Sequence, residues 1–302
     1  MKNVINYYYN LEPIAIHQIN KKYYFKASDE QYVFITYDNI NEIDALYDFS
    51  NSLLLRGLMC HQMILNIDKQ ILTKVNEDLY VLMKIYVAKK DIAINDILNF
   101  NNITINDTKS ILRRDDWFNL WTNKIDYFEY QINQLGKKHP IITRSFSYYV
   151  GLAENAISLI SNVNKDGLSL NLSHRRILYN DTFYNLYNPL NFVIDLRVRD
   201  ICEYFKSCFF NGQEVLELIK QYLSYNKLSY NESCYFFARL LYPSYYFDVY
   251  EKIIDNQIDE EEINYVISKV DSYENILREV YIYLKSSINI PEIEWLQKAI
   301  LY

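Results

Sequence analysis

Short apolar runs separated by polar turns fill residues 14–86, and longer runs with apolar groups three and four apart fill most of the remainder. That pattern reads as an α+β chain with its strands first. Ile14–Ile19 and Tyr23–Ala27 form two strands broken at Asn20-Lys21-Lys22. Ser28–Gln31 makes a second turn and Tyr32–Tyr37 a third strand. A helix then carries Ala45, Leu46, Phe49, Leu53 and Leu54, with Asn41 placed to cap it and Gly57 suited to its C-terminal end. His61–Asn66, Gln70–Lys74 and Leu79–Tyr86 supply three more strands. Residues 1–86 thus form a small antiparallel β unit, residues 87–91 a short polar crossing that suits a hinge, and residues 92–302 a large, mainly helical unit.

Within the larger unit, Asp107–Gly136 reads as one helix, with Ile111, Trp117, Leu120, Trp121, Ile125, Phe128 and Ile132 largely on one stripe. Lys137-Lys138-His139 breaks the pattern and Pro140 opens the next helix, which runs to Ile160. Residues 168–196 are β-rich. Leu168–Leu172 leads into Ser173-His174-Arg175-Arg176, and Phe192-Val193-Ile194 ends in Asp195. Helical patterns then run over 198–210, 213–225, 230–241, 244–256, 259–285 and 292–301. Two short strands, each ending in polar groups and followed by a helix, are how a kinase-like fold presents its catalytic loop and its metal-binding carboxylate.

Composition narrows the chemistry. The five glycines are nowhere closer than fifteen residues, so neither GxGxxG nor a Walker A loop exists, and Rossmann and P-loop enzymes are excluded. A net charge of −7 disfavours nucleic-acid binding. The four cysteines (Cys60, Cys202, Cys208, Cys234) lack metal-ligand spacing and read as buried free thiols. Gly167-Leu168-Ser169 lacks the frame of a hydrolase nucleophile elbow. No apolar run reaches the ~20 residues of a membrane span, and the polar opening lacks a secretory h-region, so membrane insertion and secretion are not expected. The 31 tyrosines admit two readings: AT-rich codon usage, or a sticky surface suited to an assembled coat.

Four segments, in order, resemble a known family. They are Leu135–Pro140 with Tyr149–Ile157, then Arg199–Phe205, then Ala238–Pro243 with Tyr246-Phe247, and Pro291–Leu296. Together they resemble the YutH-like branch of the CotS-type endospore coat kinase-like proteins, over about residues 120–300. The resemblance implies a protein-kinase-like, aminoglycoside phosphotransferase-like bilobal fold, with a small antiparallel β N-lobe and a large helical C-lobe. It also implies synthesis in the mother-cell cytoplasm, a place in the spore coat, and other coat proteins as partners.

Carried over position by position, the resemblance exposes departures. Phosphoryl transfer needs a lysine on the phosphates, a carboxylate at the attacking hydroxyl, and Asn and Asp groups on magnesium. The third strand has Ile35 and Thr36 where the lysine belongs, with Lys26 on the preceding strand as the possible substitute. Alignment of the catalytic loop on His174 puts Arg175 at its glycine, Arg176 at the catalytic aspartate and Asp181 at its asparagine. Arginine stays protonated and cannot serve as a base. The two arginines would bind phosphate, a carboxylate or a partner's acidic side chain, or pair internally with Asp195, Asp200 or Glu154. Asp195 stands at the metal position, where with Asp181 it could hold Mg-nucleotide, or instead cap the helix that follows. Asp200, Glu154 and Asn155 are assigned structural support of the loop, with His174 as its anchor.

The leading expectation is a pseudokinase that needs no cofactor and acts by binding coat proteins. One alternative is an active, atypical phosphotransferase using Mg-ATP on a small molecule or a coat protein. Another is a helical interaction module unrelated to sporulation.

Overall fold

The computed structural model describes residues 1–86, 91–106 and 109–297, which divide into two compact units. The first gathers Met1–Asp96, Asp107–Arg113 and Asn180–Ile194; the second gathers Ile97–Asn106, Arg114–Tyr179 and Asp195–Tyr302. Residues 87–90 of the expected hinge lie outside the described residues. The segment 180–194, read from sequence as part of the larger unit, packs with the first.

The first unit opens with α1 (Lys2–Tyr9), then β1 (Ile16–Ile19), β2 (Lys22–Ala27), β3 (Glu30–Thr36), α2 (Ile40–Leu55), β4 (Gln62–Ile64), β5 (Leu72–Val75) and β6 (Asp78–Ile85). The strands form one antiparallel sheet in the order β1-β2-β3-β6-β4, with β5 also on β6. The β1–β2 and β5–β6 hairpins turn at Asn20 and Asn76, both with positive φ, which asparagine tolerates. Alternate residues Phe25, Ala27, Tyr32, Phe34, Tyr80 and Leu82 bury one sheet face against Ile5 and Tyr9 of α1. Tyr9 Oη bonds Thr73 Oγ1 at 2.8 Å, so the helix is fixed by a polar tie as well as by apolar area. Segment 180–194 is held by His61, whose N donates to Tyr187 O at 2.9 Å and whose Nε2 lies 2.9 Å from Tyr184 O.

After α3 (Ile94–Asn101) the second unit comprises α4 (Trp117–Leu135), α5 (Pro140–Ser161), β7 (Leu170–His174), α7 (Arg199–Phe210), α8 (Leu216–Tyr225), α9 (Tyr230–Leu241), α10 (Ser244–Ile254), α11 (Ile263–Ile267), α12 (Val270–Ser287) and α13 (Glu294–Gln297). Between β7 and α7 come α6 (Phe183–Leu186) and β8 (Phe192–Leu196), which pairs with β7. Two helices differ from the sequence expectation. The helix expected from Asp107 begins at Trp117. Ahead of it Arg113 bridges Ile194, and Ile194 N donates to Leu112 O at 3.0 Å, so this stretch is drawn out along β8 (Asp107 and Thr108 lie outside the described residues). The single helix expected over 259–285 is broken. Glu260 turns back so that its Oε1 accepts from Ile141 N and Ile142 N at 2.7 and 2.9 Å, capping α5.

Much of the tyrosine excess goes into the core of this unit. Tyr149, Tyr235, Tyr246, Tyr250 and Tyr281 are fully buried, and Tyr149 stacks on Tyr246 with centroids 3.7 Å apart. Buried tyrosines need hydrogen-bond partners, and several have them: Tyr273 Oη donates to Leu240 O at 2.9 Å and Tyr250 Oη to Gln131 Oε1 at 3.3 Å. Others, such as Tyr7, Tyr130 and Tyr225, are exposed. All four cysteines are buried and free. Among the described residues no helix is long and apolar enough to cross a membrane.

Candidate functional site

Two residues, Arg197 and Val198, join the end of β8 to the first turn of α7. This tight joint places Asp195, Arg199 and Asp200 beside the end of β7. Asp200, fully buried, takes both donors of His174: the backbone N reaches Oδ1 at 3.0 Å and the ring Nδ1 reaches Oδ2 at 2.7 Å. His174 is thereby anchored from α7, with the Phe100 ring 5.4 Å from its own.

Asp195 is also fully buried, and both of its oxygens are engaged. Oδ1 accepts from Trp117 Nε1 at 2.8 Å and from Leu196 N at 2.7 Å, while Oδ2 is paired with Arg199 Nη1. Burial pushes the Asp195 carboxyl up, and Arg199 and Arg239 oppose that shift. The expected helix-capping role is not what this residue does. The N-cap position of α7 is Val198 and no side chain caps it, because the carboxylate is turned to Arg199 one helical turn on. Arg199 uses its remaining donors on the loop backbone, reaching His174 O at 3.0 Å and Arg175 O at 3.4 Å.

A second ionic cluster continues from the first. Arg239 stacks over the Trp117 and Trp121 rings, 5.0 and 5.7 Å from their centroids, and its Nε donates to Glu203 Oε1 at 2.6 Å. Lys206, 2% exposed, pairs with the same oxygen at 2.7 Å and donates to Arg239 O, Tyr242 O and Ser244 Oγ. Every polar hydrogen of that ammonium has a partner, which is the condition for burying such a charge. Burial alone would raise the Glu203 carboxyl; Arg239 and Lys206 outweigh it and hold the group well below the usual range.

The other sequence-derived candidates scatter. Arg176 is exposed and pairs with Asp248 of α10, not with Asp195, Asp200 or Glu154, because the chain leaving β7 turns its side chain outward. Arg176 and Asp248 line a cavity of about 590 Å³ together with Tyr127, Lys252 and Asp255. Arg175 is half-buried and contributes its carbonyl to Arg199. Asp181 belongs to the first unit, unlike Asp195, and accepts from Asn185 Nδ2 at 2.6 Å. Glu154 is exposed on α5, and Asn155 donates to Gly151 O at 2.6 Å within that helix, so neither reaches the loop. Lys26 is exposed at the far end of β2, opposite Gln31. Lys22 is the residue paired across from Ile35, with its Nζ 5.7 Å from the Tyr184 ring centroid.

Trp117, the pairing role of Arg199, and the Glu203–Lys206–Arg239 cluster were missed from sequence. Two of them had a local signal: Asp195 and Arg199 are four apart, and Glu203 and Lys206 three apart, as ion pairs on a helix are.

The family described as "Spore coat putative kinase YutH" matches residues 2–280. The chain is 25% identical over 222 residues to the endospore coat-associated protein YutH of Bacillus subtilis (strain 168), covering 64% of this chain and 65% of that one, just under two thirds of the relative's length. Among solved structures, an aminoglycoside phosphotransferase from Alicyclobacillus acidocaldarius superposes with a TM-score of 0.66 at 10% identity, over 95% of this chain and 96% of that one. Choline kinase LicA from Streptococcus pneumoniae does so with a TM-score of 0.56 at 13% identity, over 93% and 98%. These likenesses give the fold, a bilobal kinase-like one with an antiparallel sheet unit and a helical unit. A purely helical interaction module does not describe a chain whose first unit is a six-stranded sheet. With its match running through nearly the whole chain, the protein belongs to the YutH family of spore-coat kinase-like proteins.

Proposed function

We propose that the chain is a pseudokinase of the spore coat, working by binding other coat proteins and not by phosphoryl transfer. The observation that carries this reading is the state of Asp195. Magnesium in a phosphotransferase needs carboxylate oxygens that are open to it, with water and phosphate completing the octahedron. Here both oxygens are held by Trp117, Leu196 and Arg199 in a fully buried position, and the donor set does not suit the ion. Two further features support the reading: Arg176 stands where the base belongs and is turned to Asp248, and Ile35 and Thr36 stand where the lysine belongs. Membership of a spore-coat family, and likeness to an endospore coat-associated protein, support synthesis in the mother-cell cytoplasm and a place in the coat.

The test is thermal melting with and without millimolar Mg-ATP, paired with transfer of radiolabelled phosphate to coat extract. A nucleotide at 100 times its dissociation constant would stabilise by about 2.7 kcal/mol. No shift and no transfer is the expected result. Label transfer that disappears in Asp195→Ala would overturn the reading.

A second reading, a chain that uses Mg-ATP, is favoured by one observation. Lys22 stands beside the missing lysine's position on the neighbouring strand. It requires a melt shift that Lys22→Met removes.

A further inference from the structure

We propose that the free edge of β1 pairs antiparallel with β1 of a second copy of this chain, about a two-fold axis at His17. β1 is an end strand of the six-stranded sheet, bonded to β2 on one side only. In an antiparallel ladder each residue turns its N–H and C=O to one side, and successive residues alternate. Lys26 O accepts from Ile14 N at 3.0 Å, so residue 26 faces β1, and with it residues 24 and 22. Their neighbours across the ladder, His17 opposite Tyr24 and Ile19 opposite Lys22, therefore face inward. Ile16 and Gln18 turn their N–H and C=O outward, where no further strand of the described residues receives them. Such edges are normally guarded by charge, proline, a bulge or a covering loop. Ile16-His17-Gln18-Ile19 carries no lysine, acid or proline, and Ile19 is 60% exposed, with neighbouring Ile14 75% exposed. The other end of the sheet is treated differently: β4 is three residues long, and His61 just ahead of it gives its N–H to Tyr187 O.

The edge is complementary to itself. With Ile16 opposite Gln18 of the second copy, and Gln18 opposite its Ile16, every outward N–H and C=O of the two strands is paired, and His17 meets His17 on the axis. Ile19 of one copy then lies across from Ala15 of the other, beside a cavity of about 270 Å³ whose lining includes Ile14, Ala15, His17 and Tyr24. The charges match as well. Glu12 precedes the strand and Lys21 and Lys22 follow it, so antiparallel pairing brings the acid of each copy to the lysines of the other. The present partner of Lys21 is Asp78, in an exposed pair at 3.1 Å that leaves the ammonium open to a second acid. This match of bonds and charges with itself selects a second copy over an unrelated strand. The edge is short and the interface small, so a dissociation constant of roughly 10 µM to 1 mM is expected.

The test is sedimentation equilibrium of the full-length chain up to about 1 mM, which should show a monomer–dimer equilibrium. Gln18→Pro removes an outward N–H and leaves the bonds to β2 in place, a position where a strand tolerates proline. It should weaken the dimer at least about tenfold while a melt confirms that the protein is folded. Glu12→Lys and Lys21→Glu should each weaken self-association, and an equal mixture of the two should restore it. Under mild oxidation His17→Cys should form a disulfide-linked dimer at least about tenfold faster than Ile19→Cys, because in this register only position 17 meets itself. A monomer at every concentration, a dimer indifferent to Gln18→Pro, a mixture of the charge variants that stays monomeric, or equal cross-linking at 17 and 19 would each overturn the proposal.

Discussion

Replacing Glu203 by Gln is the sharpest probe of how this molecule is held together. The substitution keeps the shape and one acceptor but removes the carboxylate bonded to both Arg239 Nε and Lys206 Nζ, at 2.6 and 2.7 Å. Arg239 is 5% exposed and Lys206 is 2% exposed, so neither can turn to water. Removing one partner of a buried ion pair costs about 3–5 kcal/mol because the other charge is stranded. Two cations are stranded here and one acceptor is retained, which gives about 4 kcal/mol. At roughly 2 °C per kcal/mol for a chain of this size, the melting temperature should fall by about 8 °C. Acid titration supplies an independent readout. The folded Glu203 carboxyl lies below its ordinary value of 4.5, so its contribution is present above pH 4.5 and is lost as pH falls towards the folded value. At about 1.4 kcal/mol per pH unit, roughly 2 kcal/mol should be lost between pH 4.5 and 3 in the native protein, and this loss should be missing from Glu203→Gln. Chemical denaturation at pH 7 and melts across pH 3–5 measure both. A cost below about 1 kcal/mol would mean that the cluster behaves as a hydrated surface pair, and the reasoning would fail.

Three further outcomes follow from the same geometry. Trp117→Phe removes the indole donor to Asp195 and leaves a buried oxygen short of a partner, so denaturant unfolding should show a loss of about 1–3 kcal/mol. His61 is pushed down to about 4 by burial, with its bond to Tyr184 opposing. The unfolded chain therefore binds more protons between pH 4 and 6.5, and stability should fall by about 3 kcal/mol as pH drops through that window, a dependence that His61→Gln should remove in pH-dependent melts. Ile5→Ala opens a hole where α1 meets the sheet, since Ile5 is fully buried there, and should cost about 3 kcal/mol in equilibrium unfolding.

The strands of the first unit were legible as short runs of β-branched and aromatic residues between polar turns, which marks even β3 and β6, buried on both faces. α1 was not, because Lys2–Tyr9 is rich in tyrosine and asparagine, and its helical state rests on Ile5 and Tyr9 meeting a sheet that local sequence cannot see. The start of α4 was misplaced for a related reason. Ile111 continues the apolar stripe of the helix, but Arg113 and Leu112 are bound along β8, and that pairing overrides propensity. In the site, the sequence shows which charged residues lie near β7 and β8 and that Arg176 is no carboxylate. What each charge is paired with was not readable. Asp248 lies 72 positions from Arg176, and Trp117 lies 78 from Asp195.

On the pseudokinase reading proposed above, the pairing is what opposes the chemistry. A buried carboxylate needs a positive partner whether or not a metal is present. In a phosphotransferase the ion and the nucleotide meet part of that need, and the loop is free to admit them. Here Arg199 meets it from within, contacting Asp195, His174 O and Arg175 O at once. Removing Asp195 would then strand Arg199, and removing Arg199 would strand Asp195. Both residues are required by stability even if neither takes part in a reaction. On this account Arg199→Ala is the decisive substitution. It should destabilise the chain and, by releasing Asp195 Oδ2 and the two carbonyls, raise the affinity for divalent cations above that of the unaltered protein. Manganese binding followed by water-proton relaxation measures this directly. Equal binding in the two proteins would show that Arg199 does not stand in for the ion.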